Sequence, residues 1–493
     1  MTLSTLVINI GIVAAIITLL VGFLLKKHKS WVMTFLQNFC GVLFIFSGWV
    51  KAIDPMGTAF KMEQYFAEFE STFSETWFSF LAPLFPLLSE YSIGFSVFMI
   101  VFEIVLGIML LFGIKSKFTS WAFLILVAFF TVLTGFTFLT GYVPSGVNFF
   151  DFGDWSAYKK SNMKVTDCGC FGDFIKLEPR ISFFKDIALL VPSIFFVWRY
   201  KDMHQLVNKK WDQLIIWGSV AAVLLYCMSN YVWDLPHTDF RPFKEGANVA
   251  QIKETEAEAM ANVKVTDFVL MNIETKEEFT LPYNDYMSNY AQYPKEKFKV
   301  IDQLTTEPSI PETKISDFEI TDFDGGDVTY RYLENEKYHF MLVSYKAKYT
   351  TTSSEMEVVD TVAVMDSIFN EEGALDSVVN KVVEVKSVQE VKDYHWKTSL
   401  LSDLNELAPF IKSALAEGHE VSYVIGGIDK GGSKDIVEET GLNIEVYTAD
   451  DILLKTIVRS NPGIVLWKDG VILDKWHKNQ LPSYENVKAE LIK

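Results

Sequence analysis

The hydrophobic pattern divides the chain near residue 231. Before it, apolar residues run in long blocks; after it, they alternate with polar ones in short stretches. A membrane-crossing helix needs about 20 mostly apolar residues, because the hydrocarbon core is about 30 Å thick. Six blocks meet or approach that length: 3–25, 31–50, 93–112, 118–139, 183–198 and 214–231. The fifth is short and carries Lys185 and Asp186 at its start. The first has no basic residue before it and Lys26, Lys27 and Lys29 after it, the reverse of a secretory signal peptide, so it reads as a retained helix. A further apolar and aromatic stretch at 76–88 is broken by Pro83 and Pro86, which suits an interfacial or re-entrant segment on the outer face.

Past residue 231 the pattern changes to that of a water-facing region. Residues 232–250 read as a linker with Pro236 and Pro242, opening a linker and β-rich segment over 232–314. Two stretches, 265–280 and 315–329, echo each other and alternate like β-hairpins. From residue 338 onward, strand patterns at 339–345, 420–426, 443–448, 463–467 and 471–476 interleave with helical ones. The helical stretches are 401–416, 434–439 and 484–492, and Asp469-Gly470 forms a tight hairpin turn. The expected fold is therefore multi-domain: a polytopic α-helical membrane bundle over 1–231 and an α/β domain over 315–493.

Charge adds orientation. The chain carries a net charge of −18, but residues after 231 hold 47 Asp and Glu against 27 Lys and Arg, while those before hold 15 against 17. An acidic surface of this kind is a solvated one and does not suit a nucleic-acid partner. Within the membrane half, Lys26, Lys27 and Lys29, then Lys115 and Lys117, then Arg199, Lys201, Lys209 and Lys210 lie in alternate loops. By the positive-inside rule those loops are cytoplasmic. The 51–92 loop, the 140–182 loop and everything after Tyr231 then face outward.

Candidate chemistry concentrates in that outward loop. The chain has 4 cysteines, and two of them stand in Asp167-Cys168-Gly169-Cys170-Phe171-Gly172-Asp173. Facing an oxidising compartment, such thiols tend towards disulfides. A bond across a single glycine closes a tight, strained ring that is easily reduced, which points to thiol–disulfide exchange. A static staple and pairing with another chain are the alternatives; a closed metal site needs more ligands than this pair supplies. Cys40 and Cys227 lie inside helices and read as buried, inert residues. Glu103 sits mid-helix at a depth where a carboxylate must be neutral or paired, so it is either a neutral hydrogen-bonding group or a functional one. Lys51 and Asp54 end the second block at the outer surface, as an interfacial anchor and helix stop or as part of a polar site, and Lys51 is a candidate partner for Glu103.

On Ser47-Gly48, Lys51, Asp54-Pro55 and the Glu103 helix, the membrane half resembles the DoxX family. With Cys168-Gly169-Cys170-Phe171-Gly172 it is more similar to the MauE (methylamine utilisation) branch, over roughly 31–200. The resemblance implies a four-helix membrane core and a role in processing or disulfide maturation of an exported protein. The C-terminal region resembles a thioredoxin-like domain over 315–493, with Asn461-Pro462 at the position of that fold's cis-proline. It lacks the Cys-x-x-Cys expected after 339–345, where Lys346-Ala347-Lys348-Tyr349 stands instead, and 350–397 reads as an insertion. A binding module without redox chemistry of its own is the expectation for that domain. No haem or flavin motif is present, so no cofactor is evident, and a quinone-linked role with Glu103 as proton relay has no motif behind it.

Together these readings give a multi-pass protein of the bacterial inner membrane with its C-terminal domain on the periplasmic side. Its partners are the bilayer and an exported client or envelope complex. As an enzyme it would be a thiol–disulfide oxidoreductase using Cys168 and Cys170; otherwise it would be a non-catalytic scaffold or assembly factor.

Overall fold

The computed structural model describes residues 2–369 and 375–492. It separates into two compact units, Met1–Arg241 and Pro242–Lys493. The first is helical: α1 (Leu3–Leu19), α2 (Trp31–Ile53), α3 (Pro55–Ser74), α4 (Leu84–Glu90), α5 (Ser92–Phe112), α6 (Ser116–Thr140), α7 (Pro179–Arg199) and α8 (Lys209–Met228). Six of these, all but α3 and α4, are long and apolar enough to cross a membrane.

Helices α2 and α5 form the closest contact of the bundle. A Cβ placed on Gly107 would lie 2.8 Å from the Gly41 carbonyl oxygen, and one on Gly41 would lie 3.0 Å from that of Gly107. One side chain at either position would push the helices apart, which is how small residues permit tight crossing in a membrane. Gly48, two turns on from Gly41, takes the side chain of Ile104 in the same way.

The three basic loops meet at one end of this bundle. Lys27 Nζ donates to the Leu206 carbonyl at 2.7 Å and Lys29 Nζ to that of Lys201 at 2.8 Å. Gln37 Nε2 donates to the Leu110 carbonyl at 2.7 Å, and the Leu206 N–H donates to the Phe112 carbonyl at 2.9 Å. The Cys168-Gly169-Cys170 run lies towards the opposite end, where Ser47 Oγ donates to the Cys170 carbonyl at 2.9 Å.

Two local readings need correction. Pro55 ends α2 but also opens α3, a 20-residue helix, with Asp54 capping it by accepting from the Gly57 N–H at 2.9 Å. Proline at a first helical position loses no hydrogen bond, so it can terminate one helix and begin the next. The fifth span, expected from 183, starts at Pro179 for the same reason, which places Lys185 and Asp186 inside the helix. The 76–88 stretch is a single 3-10 turn, Ser79–Leu81, followed by α4.

The second unit begins with α9 (Val249–Ala261) and a three-stranded antiparallel sheet of β1 (Val265–Asn272), β2 (Glu278–Pro282) and β3 (Phe298–Thr305), with β1 central. α10 (Tyr283–Ser288) follows β2, and its Tyr286 packs on Phe268 of β1. Short α11 (Tyr330–Leu333) leads to β4 (His339–Ser344). A long antiparallel pair, β5 (Tyr349–Phe369) and β6 (Leu375–Trp396), stands between β4 and α12 (Thr398–Ala416). Then come β7 (Glu420–Ile425), α13 (Lys430–Thr440), β8 (Glu445–Tyr447), α14 (Asp451–Ile457), β9 (Gly463–Lys468), β10 (Val471–His477) and α15 (Tyr484–Leu491). The main sheet has the order β10-β9-β4-β7-β8. β4, β7 and β8 run parallel, and β9 is antiparallel to both β4 and β10. Every residue of β4 is buried, as suits a central strand covered on both faces. Leu400, Leu404, Leu407, Ile411 and Ala414 make one stripe of α12 on the core.

The 265–280 stretch is the hairpin its alternation implies, but 315–329 is not. There only a single bridge joins Thr321 to Asp327, and Thr321 also pairs with Thr448. Residues 242–250 are not a free linker either. Phe243 is fully buried against Phe318, and the Gly246 and Val249 N–H groups donate to the carbonyls of Ile472 and Gly470.

Gly107→Leu overpacks the α2–α5 crossing and should cost about 1–3 kcal/mol. In detergent-solubilised full-length protein its thermal midpoint should fall by several degrees. Gly94→Leu, whose Cβ meets nothing within 4 Å, should leave the midpoint near wild type.

Candidate functional site

Six helices, α2 to α7, and the loop that carries Cys168 and Cys170 enclose a cavity of about 280 Å³ in the first unit. Its wall is mostly Phe, Leu and Met, with Lys51, Glu103, Lys185, Asp186, Cys168 and Cys170 among the exceptions. Lys51 and Glu103 are joined at 2.5 Å, with side chains 8% and 3% exposed. Glu103 lies deep in α5 while Lys51 is two residues from the end of α2. They meet because the first turn of α5 is level with the α2–α3 junction, where Ser96 Oγ donates to the Pro55 carbonyl at 2.9 Å. Lys51 then reaches Glu103 along its stem, with its ammonium 5.2 Å from the Phe130 ring centre.

A second buried pair lies on α7. Lys185 and Asp186 are in direct contact, and Asp186 also accepts from Thr134 Oγ1 of α6 at 3.0 Å. Charges at such depth hold only when paired and hydrogen-bonded, and these are.

The cysteine run is clamped onto the bundle from α3. Lys61 pairs with Asp167 at 2.7 Å and Lys164 with Glu68 at 3.0 Å. Gly169 has φ +57°, the left-handed region, and a Cβ there would come within 3.0 Å of Lys61 Cγ, so glycine alone suits the turn between the two cysteines. Cys168 is 7% exposed and Cys170 partly buried; both are free thiols. Burial pushes the Cys168 thiol up to about 12, Cys170 adds to the rise, and the hydroxyls of Ser182 and Tyr65 oppose it. Burial raises Cys170 too; the Lys185 ammonium pulls it back, the Asp186 carboxylate pushes it up, and Lys51 opposes the rise.

The remaining sequence candidates fall elsewhere. Asp54 is the α3 cap and is not among the cavity residues. Cys40 and Cys227 are fully buried in separate apolar clusters. The Asn461–Pro462 peptide bond is cis, and Asn461 Nδ2 donates to the Lys346 carbonyl at 2.9 Å, beside the base of the β5–β6 pair. Lys61, Tyr65 and Thr134 were not legible as site residues. Lys185 and Asp186 carried a signal, a charged pair inside an apolar block, but it read as the mark of a helix start.

The family model of methylamine utilisation protein MauE matches residues 29–145. No curated protein and no solved structure matches the chain. The matched stretch spans α2 to α6 and holds Lys51, Asp54, Tyr65 and Glu103, but stops before the cysteine run. With six apolar helices and this match, the chain is a multi-pass integral membrane protein carrying a separate α/β unit.

Breaking the Lys51–Glu103 pair should destabilise more than removing it. Lys51→Met or Glu103→Met alone leaves an unpaired buried charge, costing roughly 3–5 kcal/mol. The double variant should melt above both single variants in a thermal unfolding series; a double variant that melts below both removes the pair from its structural role. Cys168 reactivity offers a separate check. Only the thiolate is alkylated, so a raised pKa means slow reaction at neutral pH. In folded protein the iodoacetamide rate at Cys168 should climb about tenfold per pH unit from roughly pH 8 to 10. In unfolded protein it should level off above about pH 8.5, the ordinary thiol value.

Proposed function

We propose that this protein is a membrane thiol–disulfide oxidoreductase of the bacterial inner membrane that acts on exported proteins through Cys168 and Cys170. The observation that carries the reading is the placement of both thiols on one cavity wall, beside the ammonium groups of Lys185 and Lys51, at the end away from the basic loops. With the basic loops cytoplasmic, that end faces the oxidising side, where a dithiol can be cycled. The match to MauE and the likeness to DoxX proteins support a role in maturation of an exported client.

The second unit is the client-holding part on this reading. Its β10-β9-β4-β7-β8 sheet, with β4 and β7 parallel and β9 antiparallel, supports a thioredoxin-like fold. The chain has no cysteine after Cys227, so thiol chemistry falls to the membrane unit and the α/β unit binds.

A second reading, a non-catalytic scaffold for an envelope complex, is favoured by one observation: Cys168 is only 7% exposed, and that burial pushes its thiol up. Thiol trapping in living cells separates the two. Exchange requires that acid-quenched cells show part of the Cys168/Cys170 population oxidised. It also requires that Cys168→Ala or Cys170→Ala accumulate a mixed disulfide with another protein. Thiols that stay fully reduced, together with a stoichiometric partner in membrane pull-downs, establish the scaffold instead.

A further inference from the structure

The end of the bundle away from the cysteine run carries an opening that the thiol reading does not use. The α1–α2 loop, the α5–α6 turn and the α7–α8 loop meet there around an open pocket of about 740 Å³. Lys29, Lys115, Lys117 and Lys201 stand on its wall, with Tyr200 and Trp121 beside them. Lys29 Nζ donates to the Lys201 carbonyl at 2.8 Å, and an ammonium has further protons to give another acceptor. The wall holds no carboxylate among the described residues, and Asp202, next in sequence to Lys201, is paired with Arg199. Cations gathered by the meeting of three loops repel one another unless an anion lies among them.

A groove of about 630 Å³ adjoins this pocket and shares Lys115 and Phe118 with it. Its sides include Val97, Val101, Val105 and Met109 of α5, and Ile216 and Val220 of α8. Residues four apart line one face of a helix, so the groove runs along α5 from the lysines into the apolar span. A cationic pocket at the head of an apolar groove has the layout of a lipid: charge at one end, hydrocarbon along the rest.

We infer that pocket and groove form one site for an anionic phospholipid of the phosphatidylglycerol class, its phosphate among the four lysines and an acyl chain along the α5–α8 groove. Charge complementarity chooses this occupant. A phosphate diester carrying an uncharged glycerol gives the lysines an anion alone, whereas a choline or ethanolamine head brings its own cation among theirs. Basic pockets between membrane helices are where anionic lipid heads bind, and Trp121 and Tyr200 suit headgroup depth. Bound there, one phosphate ties together three loops that are far apart in sequence. The site lies at the other end of the bundle from Cys168 and Cys170 and does not depend on the thiol reading.

Native mass spectrometry of the full-length protein in mild detergent, offered dioleoyl phosphatidylglycerol and dioleoyl phosphatidylcholine in equal amounts, reads occupancy directly. Wild type should retain phosphatidylglycerol in preference by about tenfold or more. The double variant Lys115→Gln/Lys117→Gln should lose that preference. Lys209→Gln/Lys210→Gln, which removes the same charge from lysines off the wall, should keep it. Val220→Trp, which fills the groove from α8, should weaken retention severalfold. A thermal series gives a second readout: phosphatidylglycerol should raise the midpoint of wild type, by binding the folded state, and not that of the Lys115/Lys117 variant. Inorganic phosphate in large excess supplies the anion without the chain and should neither displace the lipid nor raise the midpoint. Equal retention of the two lipids, or equal loss in both lysine double variants, overturns the site. Displacement by phosphate overturns the lipid and leaves a site for the free anion. Retention unchanged in Val220→Trp overturns the seat of the acyl chain.

Discussion

The buried ion pair between Lys51 and Glu103 is the constraint on which the membrane unit is arranged. Either charge alone in the bundle would cost several kcal/mol, so each fixes where the other must be. The pair closes only if α2 and α5 run within side-chain reach in one register. Gly41, Gly48 and Gly107 permit that approach, because any larger residue at the two crossing glycines would strike opposing backbone. The same register sets Ser47, one turn below Lys51, at the cavity wall, where it holds the Cys170 carbonyl. The ion pair, the helix crossing and the seat of the cysteine loop are thus one geometric solution rather than three.

The opposite wall is built by a different device. Lys185 and Asp186 are neighbours in sequence, so their contact needs no long-range register, and Thr134 ties them to α6. What is long-range there is the cover of the cavity, the loop that carries Cys168 and Cys170, held to α3 by Lys61–Asp167 and Lys164–Glu68. These two pairs are partly exposed, and pairs of that kind contribute little individually, about 0–1 kcal/mol. The cavity therefore has a rigid floor, formed by α2 and α5, and a cover held by weaker contacts.

Much of this architecture was legible in the sequence, for reasons of length and charge. Six apolar blocks must be helices in a bilayer because no other single segment satisfies its backbone there. The three basic loops that alternate along the chain meet at one end of the bundle. Glu103 stood out because a lone carboxylate at that depth demands a partner. Helix α3 was illegible because Pro55 was read only as a stop, and its mixed composition gives no span signal. Tyr65 and Lys61 were hidden with it. In the second unit the positions of the main-sheet strands followed from alternation and turn residues, but their order in the sheet and the edge contacts of 246–249 with β10 did not, since a short polar stretch carries no periodicity. The 315–329 stretch misled by the same token: alternation marks a strand only where a partner strand is available, and there one bridge forms.

The two thiols are close in sequence but unequal in setting. Cys168 is nearly closed off, its thiol raised chiefly by lost hydration, with neutral hydroxyls opposing. Cys170 is less enclosed by exposed area, and its thiol, also raised by burial, has the Lys185 and Lys51 cations on one side of the balance and the Asp186 carboxylate on the other. A cation stabilises a thiolate by a direct Coulomb term that a hydroxyl does not supply, and the low dielectric of the bundle strengthens that term. Each of those cations is itself paired with a carboxylate, Lys185 with Asp186 and Lys51 with Glu103, so what reaches the thiol is a dipole more than a bare charge. On the exchange reading, Lys51 then serves both the ion pair that holds α2 to α5 and the electrostatics of the Cys170 thiol, and protein stability and thiol chemistry meet at one ammonium group.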